Sequence, residues 1–129
     1  GIVPENTIFD LVLRRSDLGD PLINDHHAVA MGLLSYDELE KMYQMSATVN
    51  KCLVELFDKA GITVVDFKIE FGRDADGSLI LADELSPDTC RLWDKATGER
   101  MDKDRFRRDL GRVRETYEEV AQRLHNALK

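Results

Sequence analysis

The stretch VVDFKIEFG, residues 64–72, decides the fold, because apolar and charged side chains alternate along it. Successive side chains of a strand point to opposite faces, so the two kinds of side chain separate. We therefore predict an amphipathic strand with one face towards a core. The other face is either a polar site or, more commonly, a surface in water. The predicted apolar face consists of Val65, Phe67, Ile69 and Phe71, and the charged face of Asp66, Lys68 and Glu70.

The segment after this stretch predicts a hairpin. The turn residues DADG, 74–77, lead into a second strand-like run, SLILADEL, 78–85. The simplest antiparallel pairing has a four-residue loop and sets Arg73 opposite Ser78.

This register places a second carboxylate on the charged face. Glu70 would face Leu81, and Asp83 would share the face of Glu70 on its diagonal. Two carboxylates at that separation can share a divalent cation. A slip of one residue would turn Asp83 to the other face, so this route to a metal site depends on the register.

Helices flank the predicted hairpin. Ser35 and Glu38 form a capping box, helical apolar spacing continues to Ala60, and Gly61 is placed to end the helix. Nearer the C-terminus, a short helix containing Phe106 precedes a longer one with apolar residues three and four positions apart. The class is therefore α+β, an antiparallel hairpin packed with a long helix and C-terminal helices. We also predict a strand over residues 7–14 and loops over 16–27 and 85–94.

Length and composition favour one domain, 1–129. The cysteines and the absence of an evident targeting segment favour the cytoplasm. The chain has 129 residues, 43% of them hydrophobic, which suffices for one core. A formal net charge of −7 argues against a nucleic-acid or anionic-membrane partner. Cys52 and Cys90 lack disulfide or metal-site spacing, and no membrane span or secretory signal is evident. Because the chain opens on Gly1, it is either a piece of a longer protein or a product of tag removal or processing.

Four other features carry less weight. DADG lacks the spacing of a calcium loop, and Cys90 has no obvious neighbouring base. His26 and His27 diverge in direction, which favours a hydrogen-bonded or exposed pair over metal ligands. The basic cluster KDRFRR, 103–108, is more often a solvated helix face than a phosphate site.

Four segments together resemble one enzyme family. VVDFKIEFG, LADELSPDTCRLWD and DKDRFRRDLG follow one another as in the second half of the SAICAR synthetases, the phosphoribosylaminoimidazole-succinocarboxamide synthases. DPLIND, 20–25, is similar to an earlier loop of that family. The resemblance implies the second domain of a SAICAR-synthetase-like, ATP-grasp-related fold, without the family's N-terminal domain that covers ATP.

The resemblance implies an ATP-dependent carbon–nitrogen ligase of purine biosynthesis. Such an enzyme joins carboxyaminoimidazole ribonucleotide (CAIR) and L-aspartate to give SAICAR, ADP and phosphate through an acyl phosphate. It implies Mg²⁺ as cofactor, ATP as co-substrate and a homo-oligomer in the full-length enzyme. A chain without the ATP-covering domain is expected to be inactive alone. Two alternatives stay open: a non-catalytic magnesium–nucleotide or interaction module, and a related ligase with a different amine.

The same resemblance implies residue roles on the predicted hairpin. Asp66 and Lys68 are expected to be catalytic, with Lys68 also contacting the nucleotide. Glu70 and Asp83 are expected to hold magnesium and the nucleotide phosphates.

The resemblance also implies substrate contacts elsewhere. Asp88 and Arg91 are expected to bind the ribonucleotide, with Arg91 gripping its 5′-phosphate through two N–H groups. An ordinary salt bridge from Arg91 to Asp88 or Asp94 is the competing explanation. Asp20, Asn24 and Asp25 are expected in a substrate pocket, although capping and turn formation explain them equally well.

Overall fold

The structure, a computed structural model, describes residues 3–82, 88–107 and 111–129, with Phe106 described by its backbone alone. Asp83 therefore lies outside the described residues. The chain divides into two compact units, Gly1–Met45 and Ser46–Lys129. The single domain over 1–129 stays a prediction.

The first unit contains a short antiparallel strand pair and a helix. Strand β1, Leu11–Val12, pairs with β2, Leu22–Ile23, and helix α1, Asp25–Ala30, follows. A 3-10 helix, Ser16–Leu18, lies in the connection. The predicted strand over 7–14 is thus wrong outside two residues, and the predicted loop over 16–27 contains β2 and the start of α1.

Helix α2 spans Tyr36–Lys59, as the capping box predicts. The Ser35 hydroxyl accepts from the Glu38 backbone N–H at 3.1 Å, and the Glu38 carboxylate accepts from the Ser35 N–H at 3.0 Å. These two bonds satisfy donors that the first helical turn leaves unpaired. Gly61 has a φ of +74°, the left-handed conformation that favours glycine after a helix.

The opening stretch forms two strands rather than one. Strand β3, Ile62–Phe67, pairs antiparallel with β6, Cys90–Asp94, and β4, Glu70–Arg73, pairs antiparallel with β5, Leu79–Ala82. The predicted continuous strand is wrong because the chain passes from one pair to the other at residues 68–69. The predicted loop over 85–94 is wrong at its end, since β6 alternates buried and less buried side chains as a strand does.

A β-bulge in β3 explains why the predicted faces are also wrong. Val64 pairs with Leu92 and Asp66 with Arg91, so Val65 is an extra residue in β3. The insertion shifts the alternation by one position. Val64 and Phe67 both pack against the core, whereas Val65, predicted to face it, is 42% exposed.

The hairpin is confirmed, but its predicted register is wrong by one residue. Arg73 pairs with Leu79 rather than Ser78. The Asp74 carboxylate accepts from the backbone N–H groups of Asp76 and Ser78, each at 2.9 Å, and Gly77 has a φ of +81°. The Asp74 backbone N–H also donates to the Ser78 carbonyl oxygen at 3.0 Å, so this bond closes a three-residue loop, 75–77, with glycine in the left-handed region instead of the predicted four-residue loop.

Two helices complete the second unit and confirm the C-terminal prediction. Helix α3 spans Asp104–Arg107 and α4 spans Val113–Ala127, with Gly111 at a φ of +70° between them. Among the described residues, no helix is both long and apolar enough to span a bilayer. The α+β class is confirmed. The core of this unit contains Phe57, Ile62, Cys90, Leu92, Met101 and Val120.

Candidate active site

The junction of β3 and β4 brings two predicted site residues together. Lys68 Nζ lies 3.4 Å from Glu70 Oε1, with the lysine side chain 64% exposed and the glutamate 21% exposed. Glu70 pairs with Ala82 rather than Leu81. The register argument that placed Asp83 beside Glu70 therefore fails. A metal site at Glu70 and Asp83 stays a prediction that rests on the family resemblance, because Asp83 lies outside the described residues.

Arg91 connects two carboxylates. Its Nη1 donates to Asp66 Oδ2 at 2.8 Å across the β3–β6 pair, and its Nε donates to Asp104 Oδ2 at 3.1 Å. The hydrogen bond to Asp66 is the main cause that raises the pKa of Arg91 above its ordinary value. The Arg91 salt bridges therefore involve neither Asp88 nor Asp94, the two partners that the sequence suggested.

These contacts bear on the prediction that Arg91 binds a phosphate through two hydrogen bonds. Such binding uses adjacent N–H groups of the guanidinium. Two of the five guanidinium N–H groups, one on Nε and one on Nη1, donate to carboxylates, and the cluster of Arg91, Asp66 and Asp104 carries a net charge of −1. A phosphate that binds Arg91 through two bonds would therefore use the remaining N–H groups of Nη1 and Nη2 or displace a carboxylate.

Asp104 is itself held by a second aspartate that the sequence reasoning missed. Asp102 is fully buried, and its carboxylate accepts from the backbone N–H of Leu92 at 2.6 Å and of Asp104 at 2.7 Å. Burial of a carboxylate is tolerated when such donors surround it. The two aspartates of DKD, 102–104, around the start of α3 were the available sequence signal, because acidic side chains favour helix starts.

A cavity of about 340 Å³ lies beside this network in the second unit. The Tyr117 hydroxyl donates to Asp88 Oδ1 at 2.8 Å. Burial, and after it the hydrogen bond to Asp88, raises the pKa of Tyr117 well above its ordinary value. Sequence reasoning did not identify Tyr117 as a site residue, because Tyr117 falls on the same helical spacing as the apolar residues of α4. The cavity is lined by Asp88, Lys103, Arg107, Val113 and Tyr117.

The basic cluster 103–108 is not simply a solvated helix face. Arg105 is 5% exposed and donates to Glu99 Oε1 and to the Gly111 carbonyl oxygen. Lys103 and Arg107 line the cavity. One arginine therefore links Glu99 to Gly111, while two cations line the cavity beside Asp88.

The substrate-pocket residues predicted from DPLIND have structural contacts in the first unit. Asn24 caps α1, since its side chain accepts from the His27 N–H at 2.9 Å. Asp25 accepts a hydrogen bond from the Tyr43 hydroxyl. Asp20 has a φ of +49°, so it occupies a left-handed turn position. Their pocket role stays a prediction.

His26 and His27 are both exposed and hydrogen-bonded, the arrangement that the sequence favours. His26 Nδ1 lies 2.8 Å from the Tyr36 hydroxyl oxygen, and His27 Nδ1 accepts from the Asn24 backbone N–H at 3.3 Å. Across the part of the chain that the structure describes, no group of three or more His, Cys, Asp or Glu side chains is arranged to hold a metal. A carboxylate pair of the predicted kind still suits Mg²⁺, which binds one or two carboxylates with substrate phosphates and water.

Sequence comparison places these features in a known family. The SAICAR synthetase family matches residues 3–124. The phosphoribosylaminoimidazole-succinocarboxamide synthase of Fusobacterium nucleatum is 61% identical over 119 residues, which make up 92% of this chain and 50% of that protein. The synthase of Clostridium botulinum (strain Loch Maree) is 58% identical over 121 residues, 94% of this chain and 51% of that protein. The chain thus spans about half the length of these relatives.

Structure comparison agrees. The synthase structure from Ehrlichia chaffeensis superposes with a TM-score of 0.92 at 44% identity, covering 97% of this chain and 54% of that one. A SAICAR synthetase in complex with ADP superposes with a TM-score of 0.88, also at 44% identity, covering 94% of this chain and 52% of that one.

Proposed function

The chain belongs to the SAICAR synthetase family, and on that premise we propose that it forms the C-terminal half of an ATP-dependent ligase. The reaction joins the carboxylate of CAIR to the amino group of L-aspartate and yields SAICAR, ADP and phosphate. The family match over residues 3–124 is the observation that carries this proposal. The ADP bound to one of the similar structures supports the use of ATP.

The chemistry explains why the site needs both carboxylates and cations. A carboxylate resists attack by an amine, so the γ-phosphoryl group of ATP is first transferred to a carboxylate oxygen of CAIR, releasing ADP. The aspartate nitrogen then attacks the acyl carbon, phosphate leaves with the carbon–oxygen bond electrons, and the nitrogen loses a proton. Both steps bring anions together, which requires positive charge and fixed donors around the reacting groups.

Magnesium is part of the proposal. Glu70 and Asp83 would hold the ion, which neutralises phosphate oxygens when it is bound. The low exposure of the Glu70 side chain and the neighbouring Lys68 support this role, because a lysine beside a metal carboxylate can also contact nucleotide phosphates. Asp66, held by Arg91, would lie on the ribonucleotide side.

The cavity beside Asp88 suits an anionic ribonucleotide. Lys103 and Arg107 supply positive charge, and Asp88 supplies an acceptor for a hydroxyl or amine of the ligand. Arg91 is retained as a ribonucleotide contact through Nη2 or by exchange of a carboxylate partner. The proposal also includes the pocket roles of Asp20, Asn24 and Asp25.

The proposal further includes a homo-oligomeric, cytoplasmic full-length enzyme with an ATP-grasp-related fold. A non-catalytic magnesium–nucleotide module would keep the hairpin carboxylates but show no turnover. A ligase with another amine would release ADP when that amine is supplied in place of aspartate. Both alternatives are distinguished by substrate dependence.

Genetic complementation tests the proposal. We define the chimaera as the F. nucleatum synthase in which this chain replaces the matching segment. In a bacterial strain that lacks its own SAICAR synthetase, the chimaera should restore growth without added purines, as the F. nucleatum parent does, whereas its Glu70→Gln variant should not. A chimaera that accumulates to the level of the parent yet fails to restore growth would overturn the proposal.

A further inference from the structure

The Tyr117 hydroxyl contacts one of the predicted ribonucleotide-binding residues. It donates to Asp88 at 2.8 Å, and Tyr117 lines the cavity. Asp88 is exposed and precedes β6 outside any strand. A hydrogen bond from a rigid donor restrains the orientation of its carboxylate.

Helix α4 makes Tyr117 such a donor. Thr116 and Val120 on this helix are buried, with Val120 in the core cluster. Arg123 further anchors the helix, because its Nη2 donates to Asp94 Oδ2 at 2.7 Å at the end of β6. The tyrosine ring thus projects from a helix that packs against the core. The same helix is also hydrogen-bonded to β6, the strand that follows Asp88.

We propose that Tyr117 is a positioning residue that orients Asp88 towards the ribonucleotide in the cavity. This inference rests on the proposed function, because Asp88 matters only if the cavity holds that substrate. The cavity is also lined by Lys103 and Arg107, whose positive charges attract the Asp88 carboxylate. The hydrogen bond from Tyr117 holds the carboxylate against that attraction, so that the acceptor and the two cations can each meet the ligand.

The protonation state of Tyr117 agrees with this role. Burial and the hydrogen bond to Asp88 raise the pKa of its hydroxyl well above the ordinary value of a tyrosine. The hydroxyl therefore stays a donor throughout the pH range of an enzyme assay. The positioning effect should not change between about pH 6 and pH 9, well below the ordinary tyrosine pKa.

The test is Tyr117→Phe in the full-length chimaera. The substitution removes one hydroxyl and keeps the ring, so the thermal midpoint should change little. We expect the KM for CAIR to rise about tenfold, the range of a lost hydrogen bond to a charged group, with the KM values for ATP and aspartate unchanged. Tyr36→Phe, which removes a hydroxyl that contacts His26, is the matched control and should leave all three unchanged.

A double mutant separates positioning from direct contact. If Tyr117 acts through Asp88, Tyr117→Phe combined with Asp88→Asn should raise the KM for CAIR no further than Asp88→Asn alone. Additive effects, an unchanged KM in Tyr117→Phe, or a uniform rise of all three KM values with a lower thermal midpoint would each overturn the inference.

Failure of the proposed function would look different. A chimaera without aspartate-dependent turnover would contradict that function, and the inference would then be decided by calorimetric titration of the same chimaera with CAIR. Weaker CAIR binding by Tyr117→Phe would support positioning. Equal binding by both proteins, or no binding by either, would overturn it.

Discussion

Asp66 and Arg91 lie directly opposite each other in the β3–β6 pair, with Arg91 Nη1 donating to Asp66 at 2.8 Å. The regular register that pairs Val64 with Leu92 would have set Val65 opposite Arg91 instead. The bulge at Val65 is therefore what brings the two charges together, and bulges commonly re-aim side chains next to active sites.

Substitution of Arg91 tests whether this pair serves the ribonucleotide. Arg91→Lys keeps the charge but lacks the planar fork that donates to Asp66 and Asp104 from two nitrogens, so the KM for CAIR should rise about ten- to a hundredfold while that for ATP stays nearly unchanged. Asp104 is buried, so the thermal midpoint should also fall. Steady-state kinetics of the chimaera give the answer, with Arg114→Lys on the surface as control. Unaltered CAIR kinetics in Arg91→Lys would remove Arg91 from the site.

The magnesium proposal predicts a specific defect at Glu70. In Glu70→Gln the Mg²⁺ concentration for half-maximal rate should rise by about tenfold or more, a loss seen even with outer-shell partners of metals. Asp83→Asn should behave alike, with turnover affected far more than thermal stability. Glu118→Gln, at an exposed surface pair, is the control. An unchanged Mg²⁺ requirement together with a lower thermal midpoint would show Glu70 to be structural.

The elements that sequence predicted well are those fixed by residues close together in the chain. Ser35 and Glu38 meet across one helical turn, and Gly61 supplies a conformation that other residues rarely adopt. The hairpin was found for the same reason, since Asp74 and Gly77 make its turn locally. The α4 spacing likewise depends on one helix alone.

The elements that sequence did not predict depend on partners far along the chain. The sequence predicts a loop where β6 lies, because the strand character of β6 comes from pairing with β3, from 23 residues away at Phe67–Cys90 to 32 at Ile62–Asp94. The bulge at Val65 has no local signature, so the charged face was misassigned. Tyr117 and Asp102 were missed since their contacts with Asp88 and Leu92 are tertiary.

The buried carboxylate of Asp102 predicts a large stability effect. Asp102→Asn would turn an NH₂ group towards one of two backbone N–H donors, so we expect the free energy of unfolding to fall by about 2–3 kcal/mol. Urea denaturation of the chimaera measures this, with Asp37→Asn at the exposed start of α2 as control. A loss below about 0.5 kcal/mol, within the range of surface substitutions, would refute the structural role of Asp102.

Tyr43 predicts a pH-dependent contribution in the first unit. Burial, with the hydrogen bond to Asp25, raises the pKa of Tyr43 to about 12. Because the folded pKa lies above the unfolded value of about 10, the stabilisation is complete below pH 10 and is lost as the pH rises through 12. The difference in unfolding free energy between the wild type and Tyr43→Phe should therefore shrink from pH 8 to pH 11. A constant difference would contradict this.

The central claim is that this chain supplies the C-terminal half of an aspartate-specific ligase, and the most direct measurement is ADP release by the purified chimaera. ADP should form only when CAIR, ATP, Mg²⁺ and L-aspartate are all present, with one SAICAR produced for each ADP. Omission of aspartate, or its replacement by another amino acid, should abolish sustained release. ADP release that is independent of aspartate, or bound magnesium–ATP with no turnover while the F. nucleatum parent is active, would contradict the claim.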